Sequence, residues 1–407
     1  MTSLKTRFNN APRELRLFLI ASLVMGMAYS LIDATLNNFL NDRFALTGFQ
    51  RSFLEFPREI PGFLTVFVSA LLFFLCSRRL GVLSLLLGAV GSLLMGFVSP
   101  SYGVVVIWLF IYSLGQHLLM PVSSTIGMEL AREGQTGQRL GQLNAVRNLA
   151  TIIGSFVVFL GFRFLGFSYT TTFALAAVGL ALAAALMYAM KPDEPRQRGE
   201  FLKLKGEYRL YYLLAVLYGS RKQLFITFAP WVIVTIFHQP TQVLATLLTI
   251  GGVIGILFQP ILGRAIDRFG ERAVLITEAV SLMAVCFMYG YARNLFAEHT
   301  AFLVTCVCYL LDQMLFSINM ARSTYMKKIA RRPEDVQPAL TAAQTIDHFF
   351  SISIALIGGA IWSAFGYQYV FMMGAFIALL NLLAALRIRL PHPGAGVPSP
   401  AVPAEIE

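Results

Sequence analysis

Charge is what this sequence has least of. Charged residues make up 13% of its 407 positions, about half the share usual in a soluble domain, while 57% are hydrophobic and the mean hydropathy is +0.68. A water-soluble fold is thereby excluded. Cysteine is also scarce. Cys76, Cys286, Cys306 and Cys308 all fall inside or at the ends of apolar runs, and they form no zinc spacing and no disulfide framework. There is no P-loop, no G-x-G-x-x-G fingerprint and no metal-ligand spacing, so ATP-driven pumping by this chain, a cofactor or a resident metal is not expected. The net charge of +11 does not point to nucleic acid, because the basic residues lie between apolar runs and not on one solvated face. Residues 1–14 are basic but lack a short apolar core with a small-residue cleavage site, so the first apolar run reads as a retained span.

What is present in abundance is apolar sequence of spanning length. A bilayer core about 30 Å thick needs about 20 apolar residues per helix. Such runs recur at 15–41, 52–76, 80–99, 103–130, 140–164, 170–190, 209–237, 242–265, 272–292, 301–325, 337–365 and 368–388, numbered here as spans 1 to 12. The fold class expected is an all-α membrane protein of twelve transmembrane helices.

Lysine and arginine orient such a chain, because short cytoplasmic loops carry the excess. They crowd one alternate set of loops: Lys5, Arg7, Arg13 and Arg16 at the start, Arg78 and Arg79, Arg132 and Arg139, the segment around Lys191 to Arg209, Arg264 to Arg272, and Lys327 to Arg332. The opposite loops hold only Arg43, Arg51, Arg163 and Arg293. Both termini are therefore expected in the cytoplasm, with the protein in the cell membrane. The stretch 191–208 is polar and proline-containing, and divides the chain into six-span halves at 1–190 and 209–390. GFSYTTTF at 166–173 echoes AFGYQYVF at 364–371, with Phe, Tyr and Phe in register. Parallel six-helix repeats are a signature of one large transporter architecture. The proline-rich tail 391–407 is expected to be disordered.

The turn between spans 8 and 9 reads GRAIDRFGER, residues 263–272. It resembles the loop signature of the major facilitator superfamily, G-x-x-x-D-R-x-G-R-R, with Gly263, Asp267, Arg268, Gly270 and Arg272 matching. The resemblance implies two pseudo-symmetric six-helix bundles, secondary active transport by alternating access, and a conformational latch at this loop, where two helices approach at glycine. The first-half copy, LFFLCSRRLG, keeps Arg79 and Gly81 but has Phe74 and Arg78 where glycine and the acid belong. Span 5 has Gly154-Ser155 where an exchanger motif would have Gly-Pro, and span 4 lacks the expected arginine.

Charges inside the spans indicate the chemistry. A charge at mid-bilayer costs about 2.5–3.5 kcal/mol on insertion scales, so each marks a bundle interior or a cavity. Arg221 and Lys222 lie near the middle of span 7, and Asp312 and the Gln116-His117 pair at similar depth in spans 10 and 4, while Asp33 in span 1 lies nearer the outside. In the resembled fold, spans 1, 4, 7 and 10 line the cavity. Arg221 and Lys222 are about 100° apart on the helix and cannot face one point. Arg221 is the favoured ligand for a carboxylate or phosphate because its fork offers two bonds; otherwise it neutralises Asp312 or Asp33. Arg147 in span 5 is a further candidate ligand, and could instead bridge to Asp347 in span 11. Trp231, beside Pro230, either meets a ligand at a bend or packs.

In span 2, Arg51, Glu55, Arg58 and Glu59 share one helical stripe, readable as a gate against span 7 or 11 or as an ion-pair network. Asp33, Asp312, or Asp347 with His348 could carry a coupling proton, since imidazole titrates near neutral pH; a lone histidine can equally be a satisfied hydrogen-bonding group. The sequence thus predicts a monomeric, proton-coupled carrier of a small organic anion, with the lipid bilayer as its medium. The alternatives are a proton-driven exporter of lipophilic compounds with the same fold and, more remotely, a membrane enzyme built on His117, Asp347 and His348, for which no nucleophile motif exists.

Overall fold

The computed structural model describes residues 11–72, 74–131, 136–192, 205–332 and 335–389. Most of the predicted linker at 191–208, the tail at 391–407, Lys5, Arg7 and Arg132 lie outside them. The described chain is helical from end to end. Span 1 is Arg13–Phe44; span 2 comprises Gly48–Phe53 and Glu55–Leu71, with Leu54 between; spans 3 to 6 are Ser77–Phe97, Tyr102–Glu129, Thr136–Phe164 and Tyr169–Tyr188. After a short turn at Gly206–Tyr208, span 7 is Arg209–Thr235. Spans 8 and 9 form one run, Thr241–Leu295, broken at Gly270 (φ 79°, ψ 162°). Span 10 comprises Glu298–Phe316 and Asn319–Ile329, and spans 11 and 12 are Val336–Phe365 and Tyr367–Leu386.

Nine of these helices are long and apolar enough to cross a membrane by composition alone. Dividing the 55-residue run at Gly270, and adding the divided span 2 and the charge-bearing span 7, gives twelve among the described residues. An even number of crossings puts both ends of the chain on one face, called here the terminal face; the other is the distal face.

Two apolar cores form, one for each half. One gathers residues from Phe18 to Met190, the other residues from Tyr208 to Ile388. Trp231 and Ala245, from spans 7 and 8, belong to the first-half core, so the second half inserts side chains into its partner. The echoed sequence is also structural: spans 6 and 12 begin at Tyr169 and Tyr367, and Phe173 and Phe371 are buried in corresponding places. The outward faces carry large exposed apolar side chains such as Phe97, Val178, Leu257 and Phe376, as lipid contact requires.

On the terminal face, Asp335 at the start of span 11 accepts hydrogen bonds from Lys205 and from the Tyr208 hydroxyl (2.7 Å). These bonds hold its carboxyl below the usual carboxylate range. Their contribution is therefore complete above the ordinary carboxylate pKa and is lost as pH falls through the depressed one.

Gly270 has a backbone conformation open almost only to glycine, and another residue there costs about 1–3 kcal/mol. Gly263, seven positions earlier, is helical, and an added Cβ there would meet nothing within 4 Å. Gly270→Ala is thus expected to lower the unfolding temperature in detergent, whereas Gly263→Ala, at a helical position with free space, does not lower it. Equal melting temperatures for the two variants would contradict the assigned break.

Candidate functional site

The halves meet along two seams, span 2 against span 11 and span 5 against span 8. Near the distal face, Asn38 donates to the Gln239 carbonyl oxygen (3.0 Å) and Gln242 to that of Phe162 (3.3 Å). Deeper, Gln223 of span 7 donates to Glu55 (2.9 Å), whose other oxygen accepts from Arg51 (2.7 Å). Arg51 also donates to Asn37 (3.0 Å), and Arg58 lies 3.6 Å from Glu55. The span 2 stripe thus faces both span 7 and span 11, but it is shared out: Glu59 leaves its helical neighbours and meets His348 of span 11 at 2.8 Å, with His117 of span 4 at 4.0 Å.

Lys222 stays within its own half. Its ammonium donates to Asp347 at 2.8 Å, which removes the anticipated bridge from Arg147 to Asp347. The physical reason is position: Asp347 packs against Gly219, one helical turn before Lys222. Arg221 points elsewhere, as the 100° step requires. It donates to Asp312, and its guanidinium is 3.9 Å from Glu278 of span 9. Glu278 in turn accepts two bonds from Arg322 (2.7 and 3.3 Å). The guanidiniums of Arg221 and Arg322 lie over the ring of Tyr218 at 5.6 and 4.4 Å. This network is closed off: Arg221 is 1%, Asp312 2%, Glu278 0% and Arg322 1% exposed.

Arg147 and Asp33 differ. Both are exposed although each lies well inside a spanning helix, and among the described residues neither has an ion-pair partner. They do not face lipid. Asp33 is within Coulomb reach of Arg58 and of Tyr112 and Tyr309, the last in the opposite half. Tyr29 of span 1 feels both Asp33 and Arg147. Arg147 is followed one position and one turn later by Asn148 and Thr151, which line a cavity of about 170 Å³ with Leu248, Gly251, Gly255, Gln259 and Gln313. Uncharged amides and a hydroxyl on glycine-rich walls can hydrogen-bond a small polar molecule.

The other predicted residues are placed as follows. Trp231 is 1% exposed, in the first-half core near Arg51, and does not line the cavity. Gln116 is half-buried beside His117. In the loop motif, Asp267, Arg268 and Arg272 are exposed. The close helix approach expected at Gly263 is absent in this conformation, since no atom lies near enough to need a glycine there. Sequence reasoning missed Arg322, Glu271 and Gln223. Glu271 is fully buried and bound by Lys328 of span 10 at 2.7 Å, so it anchors the motif loop to its own half. Arg322 had a signal, a charge within the apolar run of span 10; Gln223 and Glu271 had none that separates them from loop or helix polar residues.

The sequence pattern of the Major Facilitator Superfamily matches residues 18–211 and again 211–405, across both halves. No curated protein sequence matches the chain. Among solved structures, the nucleoside transporter NupG is similar, with a TM-score of 0.72 at 13% identity, covering 92% of this chain and 99% of NupG. The xylose transporter XylE from E. coli, inward open, gives 0.69 at 15% identity (94% and 97% covered), and a POT family peptide transporter 0.71 at 10% (95% and 99%). At these identities the likeness is one of fold.

Removing one member of a buried charge network leaves its partner unpaired and costs about 3–5 kcal/mol, against about 0–1 kcal/mol for a pair open to water. Arg221→Ala is therefore expected to depress the melting temperature in detergent far more than Lys222→Ala, whose side chain is 25% exposed. Equal shifts would show that the Arg221 network is not what holds spans 7, 9 and 10 together.

Proposed function

The chain belongs to the major facilitator superfamily, and we propose that within it the protein is a proton-coupled secondary carrier of a small organic anion, bound between the halves at Arg147 with Asp33 carrying the proton. That the chain is a transporter and not an enzyme follows from its family. The observation that carries the finer reading is the accessibility of Arg147 and Asp33 inside their spanning helices with no ion-pair partner among the described residues, where Arg221 and Lys222 are already neutralised.

Charge balance supports the coupling. The interior holds Arg51, Arg58, Arg147, Arg221, Lys222 and Arg322 against Asp33, Glu55, Glu59, Glu278, Asp312 and Asp347, which is neutral. Adding an anion at Arg147 together with a proton at Asp33 keeps it neutral, so the loaded and empty forms face similar desolvation when the halves move. One-for-one electroneutral transport is the consequence. Similar folds belong to a D-xylose-proton symporter and a nucleoside transporter, which favours proton coupling and a small polar solute. A neutral polar solute is the second reading, favoured by the uncharged lining of Asn148, Thr151, Gln259 and Gln313. Both termini are placed in the cytoplasm of a cell-membrane protein on the distribution of lysine and arginine.

In proteoliposomes with an imposed pH gradient, organic anions are expected to move in preference to neutral and cationic solutes. Arg147→Ala should reduce that transport at least tenfold, with Arg147→Lys intermediate for want of the fork. Asp33→Asn should abolish gradient-driven accumulation while leaving exchange across the membrane. Normal anion transport by Arg147→Ala would sink the anion reading, and a preference for lipophilic cations would promote the exporter.

The motif loop has a separate consequence. Asp267 and Arg268 lie exposed on the terminal face, ready to make contacts in the conformation that closes this face. Asp267→Asn is expected to lower the transport rate with normal expression and melting temperature; an unchanged rate would remove the latch.

A further inference from the structure

We infer that Glu59, His117 and His348 form a binding site for a divalent transition-metal ion of the zinc type, which pins span 11 to spans 2 and 4. The three come from different helices and from both halves, yet their ligand atoms all lie within 4.8 Å of one another. Two imidazoles and one carboxylate are a zinc donor set, with bonds of about 2.0–2.2 Å and a fourth position open to water. Nitrogen donors disfavour magnesium and calcium, which take oxygen.

The hydrogen bonds around His117 make the case more specific. Its Nδ1 lies 3.0 Å from the Ser113 carbonyl oxygen and 3.0 Å from the Ser113 hydroxyl, and that hydroxyl gives its own proton to the Arg58 carbonyl oxygen. Both Ser113 oxygens can only accept from Nδ1, so Nδ1 carries the hydrogen. In the neutral ring Nε2 then presents a lone pair, and it faces the Glu59 carboxylate at 4.0 Å. Two lone pairs opposed across that gap attract a cation between them. Backbone fixing of the non-ligating nitrogen is also how proteins orient metal-binding histidines.

The space is prepared. Gly62, one turn below Glu59, leaves the room in which the rings sit: a Cβ there would lie 2.7 Å from His117 Cδ2 and 2.9 Å from His348 Nδ1. The rings stand at 72° with centroids 5.1 Å apart, so both can aim nitrogens at one point. All three side chains keep some accessibility, 9% for His117 and 12% for the other two, which gives an ion a way in. Arg58 and Lys222 lie within Coulomb reach of Glu59 and oppose a dication, though Arg58 shares Glu55 and Lys222 is held by Asp347. The site is accordingly one for reversible occupancy, and the ion, joined to both halves, arrests the exchange of conformations.

The test titrates zinc chloride into the purified full chain in detergent, by calorimetry. One equivalent should bind, weakened at least tenfold in His117→Ala, in His348→Ala and in Glu59→Gln, which keeps the side chain's shape, and lost in the double histidine variant. His238→Ala and His299→Ala, at exposed positions, should bind as the parent does. Size-exclusion profiles identify any variant that fails to fold, and Glu59→Gln then decides. In proteoliposomes zinc should arrest transport in the parent and not in the double variant, with a chelator restoring it. The binding arm does not depend on the solute proposed above, so its failure is separate from failure of that reading. No saturable zinc binding, or binding retained by the double variant, overturns the site.

Discussion

A charge inside a bilayer must be neutralised by something that stays with it, and most of the interior of this protein is arranged by that requirement. Arg221, Arg322, Asp312 and Glu278 neutralise one another across spans 7, 9 and 10 with almost no exposure. Lys222 with Asp347 does the same between spans 7 and 11 of the second half, and Gln223 reaches Glu55 across the halves. Once those partners are assigned, Asp33 and Arg147 remain accessible inside their helices without an ion-pair partner among the described residues. The residues proposed to meet cargo and proton are those that the pairing leaves over.

That is also why the fold was legible in the sequence and the site only partly so. Span number, the break near residue 270 and the six-plus-six division follow from hydropathy and from Gly270, because each is a local property of the chain. The repeat at Tyr169 and Tyr367 was readable for the same reason. Partner choice is not local. Arg221 looked available for a ligand because Asp312, 91 positions away, could not be placed beside it from sequence. Asp347 was assigned to Arg147 by symmetry between spans 5 and 11, but the close packing at Gly219 brings Lys222 there first. His117 and His348 were each noticed singly, and only the seam between span 2 and span 11 puts them around Glu59.

The strength of the two kinds of joint explains how such a molecule can move without unfolding. Inside each half the connections are a continuous apolar core and, in the second half, a sealed charge network whose disruption costs about 3–5 kcal/mol. Between the halves, beside the inserted side chains of Trp231 and Ala245, the polar joints among the described residues are single contacts. A bond such as that from Gln223 to Glu55 can be exchanged for water as the partners separate. The same holds for one amide on one carbonyl, as with Asn38 and Gln239, at about 0.5–1.5 kcal/mol net. Motion therefore divides the protein along spans 2, 11, 5 and 8 and leaves each six-helix half intact. Along that dividing surface Glu59 is the exception, since it faces an imidazole from each half. It meets both histidines only while the halves are together, so an ion held by all three would bias the conformation.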